Sequence, residues 1–154
     1  TCSPKGDAPG FVYVQDKKTI FIPDRPGNKL IDGHKNILEN PHIGLIFFVP
    51  NTRETLRING KAELRNDHEL LNRLEARGRP ASLVTKITVV ESFFHCGKAI
   101  IRSNLWNPDS WEEPEKIFFG EMLVGTNKKK NGLINKAKAK MIDIAIENDY
   151  KKNL

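Results

Sequence analysis

From Leu83 to Phe94 the side chains alternate without a break, Val84, Lys86, Thr88 and Val90 against Thr85, Ile87, Val89 and Glu91. A period of two over that length predicts one long strand. Its backbone donors and acceptors then require neighbouring strands, so the fold is organised around a sheet. Phe11-Val-Tyr-Val and Thr19-Ile-Phe-Ile, separated by the polar Gln15-Asp16-Lys17-Lys18, predict an antiparallel hairpin. Ile43 to Val49 is continuously apolar and predicts a strand buried on both faces. Thr55 to Leu64 follows a turn at 51–54, and Gly60 within it predicts a bulge or sharp bend.

Between these runs lie breakers and short helical signals. Pro23-Asp24-Arg25-Pro26-Gly27-Asn28 is expected to end the second strand in an ordered turn. Asp32 can cap a short helix reaching Asn40, stopped by Pro41. Asn66 and Glu69 have capping-box spacing, which predicts a helix over 67–77 ending at Gly78. His95 to Arg102 reads as one or two helical turns with Lys98 and Arg102 on one face, and Trp106 to Glu115 as loop. Five or so strands and three short helices with short connections predict an antiparallel barrel of the α+β class, with helices over its ends. Strands alternating with long helices are absent. Neither a Gly-x-Gly-x-x-Gly turn nor a Walker loop is present, which removes the two commonest nucleotide loops.

The 154 residues suit one domain, and 38% hydrophobic with 29% charged residues suits a folded one. No apolar run approaches the length of a membrane span, and no secretory signal is visible. Two cysteines, Cys2 and Cys96, do not make a disulfide scaffold, so a reducing, cytoplasmic setting is expected. Thr1-Cys-Ser-Pro-Lys-Gly reads as the middle of a turn, so further chain is expected before it. Most of the +6 charge sits between Lys128 and Leu154, where eight lysines face Asp143, Glu147 and Asp149. Such a tail can neutralise nucleic-acid phosphates, but it lacks interleaved aromatics other than Tyr150 and any zinc or helix-turn-helix signature. The stronger reading is an amphipathic helix over 132–150 with Ile134, Ala137, Met141 and Ala145 on its apolar stripe.

The densest chemistry lies in Ser3-Pro4-Lys5-Gly6-Asp7 and in Pro23 to Lys29, each combining a cation, a rigid proline and a glycine that exposes backbone amides. Together they could seat a phosphate on Arg25, Asn28, Lys29 and the loop N–H groups. The alternative is a pair of solvated turns that keep the protein soluble. His34, His42, His95 and Cys96 lack metal-ligand spacing, so no metal is expected. Cys96 and His95, adjacent on a strand, point apart and do not make a nucleophile and base. Trp106 and Trp111 read first as packing residues.

In order, Ser3-Pro-Lys-Gly-Asp-x-Pro-Gly-Phe-Val12, Ile22-Pro-Asp-Arg-Pro-Gly-Asn28, Asn36-Ile-Leu-Glu-Asn-Pro41, Glu54-Thr-Leu-Arg-Ile-Asn-Gly-Lys-Ala62, His95-Cys-Gly-Lys-Ala99 and Arg102-Ser-x-Leu-Trp106 resemble the pyridoxamine 5'-phosphate oxidase-related, FMN-binding split-barrel family. The resemblance runs over about residues 3–125. In the most similar subgroup a further helix and strand precede the Ser-Pro-Lys-Gly segment, and this chain is expected to lack them.

The resemblance implies a six-stranded antiparallel split barrel with short flanking helices that forms a homodimer holding FMN between subunits. It implies an FMN-binding domain over 1–126, followed by a lysine-rich helix over 127–154. By this resemblance Ser3, Lys5, Pro23, Asp24, Arg25, Asn28, Lys29 and Asn36 are expected near the phosphate end or flavin N1, and Thr55 and Arg57 beside the ring. Thr55 stands where the oxidase branch has a glutamine. His95, Lys98, Arg102 and Trp106 are expected on the substrate side, together with Arg79, which falls where the oxidases use an arginine. The oxidases' C-terminal ring-holding element is replaced by the lysine-rich helix, so vitamin B6 oxidation is not implied. The implied activity is hydride transfer between flavin N5 and a small organic substrate or NAD(P)H, with catalytic residues left unassigned. Flavin storage without catalysis, and a nucleic-acid-binding small barrel, are the alternatives.

Overall fold

The computed structural model of the chain describes residues 1–27, 30–124 and 132–153. Two compact units make it up, Thr1–Ser110 and Trp111–Leu154. The first contains β1 (Tyr13–Asp16), β2 (Thr19–Asp24), α1 (Asp32–Glu39), β3 (His42–Phe47), β4 (Thr55–Arg65), α2 (His68–Arg73), β5 (Leu83–His95) and α3 (Lys98–Arg102). Its strands form one antiparallel sheet in the order β1-β2-β5-β4-β3. The class is α+β, as expected. Among the described residues there are five strands, with β1 and β3 at the edges.

The expected long strand is β5, and it sits at the centre, where its two faces anchor two cores. Ile87 is fully buried on one face with Ile20, Ile22, Ile58 and Ala62. Val84 is fully buried on the other with Phe21, Leu74 and Ala81. The expected irregularity at Gly60 is present. The register slips between Asn59, opposite Glu91, and Gly60, opposite Val89, so the extra residue is Val90 on β5. Gly60 is required there because a Cβ would lie 2.5 Å from the Thr88 carbonyl oxygen.

Five expectations are corrected, the last of them in the second unit. First, Pro23 does not end β2 but pairs with Val84 inside it. The Lys18 and Asp24 carbonyls accept from Val89 and Ser82, so even-numbered residues turn their polar groups toward β5. The missing N–H of Pro23 therefore faces the β1 side, beyond the last β1 pairing at Tyr13–Phe21, and no ladder bond is lost. Second, the 43–49 strand is not buried on both faces. As an edge strand it packs Ile43, Leu45 and Phe47 on the core and leaves Ile46, with Phe48 just beyond the strand, exposed.

Third, α2 stops at Arg73 rather than Arg77. The Leu71 carbonyl, which a continuing helix would bond to residue 75, accepts from Ala81 instead, and the Leu74 carbonyl accepts from Arg25. Arg77 and Gly78, both at positive φ, then form a tight turn bridged by Ala76 and Arg79. The helix start also differs: Asp67 is the N-cap residue, and its carboxylate is drawn away by Arg65. Fourth, Trp111 is exposed rather than packed.

The second unit contains α4 (Phe119–Val124), not anticipated in the sequence, and α5 (Gly132–Asn153). Gly120 allows them to touch: a Cβ there would fall 2.0 Å from the Ala139 carbonyl oxygen. The apolar stripe of α5 is also corrected. Ile134, Ala137, Met141 and Ala145 are exposed, and the sheltered stripe is Asn135, Ala139, Ile142, Asp143 and Ile146.

Candidate functional site

The two cation-bearing bends meet. β2 delivers Asp24 and Arg25 to one end of the sheet, where the Ser3–Asp7 segment lies across them. Lys5 Nζ pairs with Asp24 Oδ1. Arg25 Nε donates to Asp7 Oδ2 at 2.6 Å, and Arg25 Nη1 donates to the Leu74 carbonyl at 2.7 Å. His34, on α1, stands 3.8 Å from the second oxygen of Asp24. The cations are thus crossed with acids, each bend supplying the partner of the other. Sequence reading missed Asp7 as the partner of Arg25. The usable signal is an acid two residues after Lys5 in a bend that must carry its own counter-charge.

Asp7 is nearly enclosed, its side chain only 7% exposed. The hydrogen bond from Arg25 holds its carboxyl below the usual carboxylate range, helped by the Ala8 N–H and by the nearby charges of Arg25 and Arg77, while burial opposes them. A carboxylate with a depressed folded pKa stabilises the fold fully above its unfolded value of about 4 and loses that contribution as pH falls through the lower folded value. Thermal unfolding followed from pH 6 downward should therefore show a loss of midpoint below about pH 4 that Asp7→Asn, already lacking the charge, does not share. Parallel pH profiles for the two proteins would contradict this.

The remaining expected residues fall into separate places. Ser3 is exposed, Pro23 is buried within β2, and Asn36 is exposed on α1 with its amide bonded to Thr1 Oγ1 at 3.0 Å. Asn28 and Lys29 lie outside the described residues. Arg79 belongs to the turn after α2, three residues before Ser82, whose N–H holds the Asp24 carbonyl.

Thr55, Arg57 and His95 gather at the opposite end of the sheet. Thr55 is buried and pairs with His95, and Arg57 lies between Ile46 and Phe93 on the neighbouring strands. Gly97 lets the start of α3 approach Arg53, where a Cβ would meet the Arg53 carbonyl oxygen at 2.7 Å. The Trp106 indole N–H donates to the Thr52 carbonyl at 2.8 Å, fixing the segment after α3 beside this end. Lys98 and Arg102 are exposed on α3.

β4 pairs Thr55 with His95 and Arg65 with Val84, next to Leu83, the partner of Asp24. At about 3.3 Å per residue the two ends of the sheet lie roughly 30 Å apart along the strand. That exceeds the reach of one flavin mononucleotide, so a single chain does not bring both halves of the expected set to one ligand.

The donor chemistry nonetheless fits a phosphorylated flavin. Arg57 Nε is buried with no hydrogen-bond partner among the described residues, a guanidinium donor awaiting an acceptor. At the other end Lys5, Arg25 and Arg77 together outnumber Asp7 and Asp24 by one charge, and Lys5 and Arg25 are held in place by their hydrogen bonds to Asp24, Asp7 and the Leu74 carbonyl.

No curated protein matches the chain. Among solved structures, HupZ of Group A Streptococcus is similar at 19% identity and a TM-score of 0.45, over 55% of this chain and 68% of that one. A single-substitution variant of the same protein gives 19% identity and a TM-score of 0.46, over 55% and 73%. Residues 1–96, which carry the crossed ion pairs, the sheet and the buried Arg57, match the family model described as pyridoxamine 5'-phosphate oxidase, and the chain belongs to that family.

Proposed function

We propose that the chain is a cytoplasmic FMN-binding flavoprotein that works as an oxidoreductase on a small organic substrate or NAD(P)H. It acts as a homodimer whose subunits complete six-stranded split barrels and hold FMN between them. The observation that carries this reading is the joining of the two cation-bearing bends through Lys5–Asp24 and Arg25–Asp7 in a chain of this family.

The separation of Lys5 and Arg25 from Thr55 and Arg57 supports the dimeric part. A site drawing on both needs the bend end of one subunit and the Arg57 end of another. Arg25, with Asn28 and Lys29 of the same loop, and Asn36 hold the phosphate end. Lys5 places positive charge near flavin N1, and Thr55 and Arg57 flank the ring. His95, Lys98, Arg102 and Trp106 border the approach of an anionic substrate, with Arg79 at the other end. When bound, FMN supplies two-electron chemistry at N5. The residues orient it, exclude water around the buried Arg57 Nε, and favour added negative charge.

Arg57→Met is expected to weaken FMN binding about 10- to 100-fold, since a hydrogen bond to a charged group is worth about 1.5–3 kcal/mol. Because the lost donor has no partner among the described residues, thermal stability should stay the same or rise. Fluorescence titration of FMN together with thermal melts reads both quantities. Unchanged affinity would remove Arg57 from the site. Bleaching of bound flavin by NADPH or a substrate separates an oxidoreductase from a storage protein.

A further inference from the structure

We infer that α5 is a self-association helix, pairing antiparallel with α5 of a second copy of this chain. Ile134, Ala137, Met141, Ile144 and Asn148 recur at the three- and four-residue spacing of a coiled-coil seam, and all are exposed. Ile134 is 53% exposed, Met141 70% and Ile144 52%. The other side of the helix is already used, with Ala139 against Gly120 and the Asp143 carboxylate accepting the Gly120 N–H at 2.8 Å. An open groove between Phe118, Glu121 and the Lys140–Glu147 flank of α5 takes in Ile144 and Asn148 of this seam and carries charges of both signs.

The charge order along α5 selects the occupant and its direction. The first half carries Lys136, Lys138 and Lys140 with no acid, and the second half carries Asp143, Glu147 and Asp149 against Lys151 and Lys152, so the second half is net acidic by one charge. A parallel second copy stacks lysines on lysines. An antiparallel one sets the basic half against the acidic half twice by symmetry, as an isologous contact requires. In that register Met141 faces Ile144 of the second copy, Ala137 faces Asn148, and Ile134 lies along the stem of Lys151. Lys140 and Glu147, on one flank of the seam, face each other across the pair. The inference requires no flavin, so it stands or falls separately from the proposed activity.

The test mixes isotope-labelled and unlabelled full-length protein, couples carboxylates to amines with a carbodiimide, and sequences the linked peptides by mass spectrometry. A link between Lys140 and Glu147 joining a labelled to an unlabelled peptide is expected. Lys140→Glu and Glu147→Lys should each lose it alone, and mixing the two variants should restore a link between positions 140 and 147. Met141→Glu with Ile144→Glu changes exposed side chains only and should abolish the inter-chain link while leaving the helix content unchanged. Links confined to peptides of one isotope, a link pattern of parallel register, persistence of the link in the Met141/Ile144 variant, or no link at all would each overturn the inference.

Discussion

Replacing Arg25 by methionine is expected to lower the unfolding free energy by about 2–3 kcal/mol, because it leaves an acid and a carbonyl without their shared donor. Asp7 has a side chain only 7% exposed, and Arg25 is its ion-pair partner. The Leu74 carbonyl loses the donor that ends α2. Removing one member of a buried pair costs about 3–5 kcal/mol, and the effect here falls toward or just below the lower end because Arg25 is itself 24% exposed. Lys5→Met is the contrast. Its pair with Asp24 is more open, with Lys5 38% exposed, so the loss should be within about 1 kcal/mol. Urea unfolding of both variants reads the difference. Equal, small losses would mean that the Asp7–Arg25 pair does not fasten the first bend to the sheet.

Gly60→Ala is expected to cost about 3 kcal/mol, the upper end of the range for overpacking a filled interior. The added methyl would meet the Thr88 carbonyl oxygen at 2.5 Å and Ile87 Cγ2 at 3.0 Å. A flexible side chain could swing away, but Thr88 presents backbone in the central strand and Ile87 is fully buried. Relief therefore means opening the β4–β5 ladder where it already slips register at Asn59 and Gly60. Gly6→Ala, with nothing within 4 Å, should change stability by only a few tenths of a kcal/mol. If the Gly60 variant melted like the parent protein, the close approach of β4 and β5 at the bulge would be wrong.

The central sheet could be read from the chain because its signals are local. Alternation along 83–94 marks the strand that became β5, and a glycine in a β-prone run marks the site of the register slip. What could not be read is what depends on partners distant in sequence. α2 ends early because Ala81 and Arg25 compete for its last carbonyls. β3 reads as doubly buried because a continuously apolar run looks alike in a central strand and in an edge strand with one face free. α5 carries apolar residues on two faces, so sequence alone could not say which one meets α4.

The candidate site divides in the same way. That residues 3–7 and 23–29 act together was one of two readings their chemistry allowed, the other being two solvated turns, and the Lys5–Asp24 and Asp7–Arg25 pairs join the described parts of both. Two features were not legible. One is that each cation would be matched by an acid of the other bend, which depends on contacts across 18 or 19 residues. The other is the distance separating Arg57 from that cluster, which depends on the sheet order.

The most direct test of the account is subunit complementation. Lys5→Met and Arg57→Met proteins are titrated with FMN separately, at a concentration where each alone stays largely empty, and then after dissociation and reassociation as an equal mixture. If FMN is held by the bend end of one subunit and the Arg57 end of another, random reassociation of a two-fold dimer restores about a quarter of the sites to full affinity. A mixture that binds no more flavin than the two variants alone, or a parent protein that takes up FMN as a monomer, would contradict the shared site.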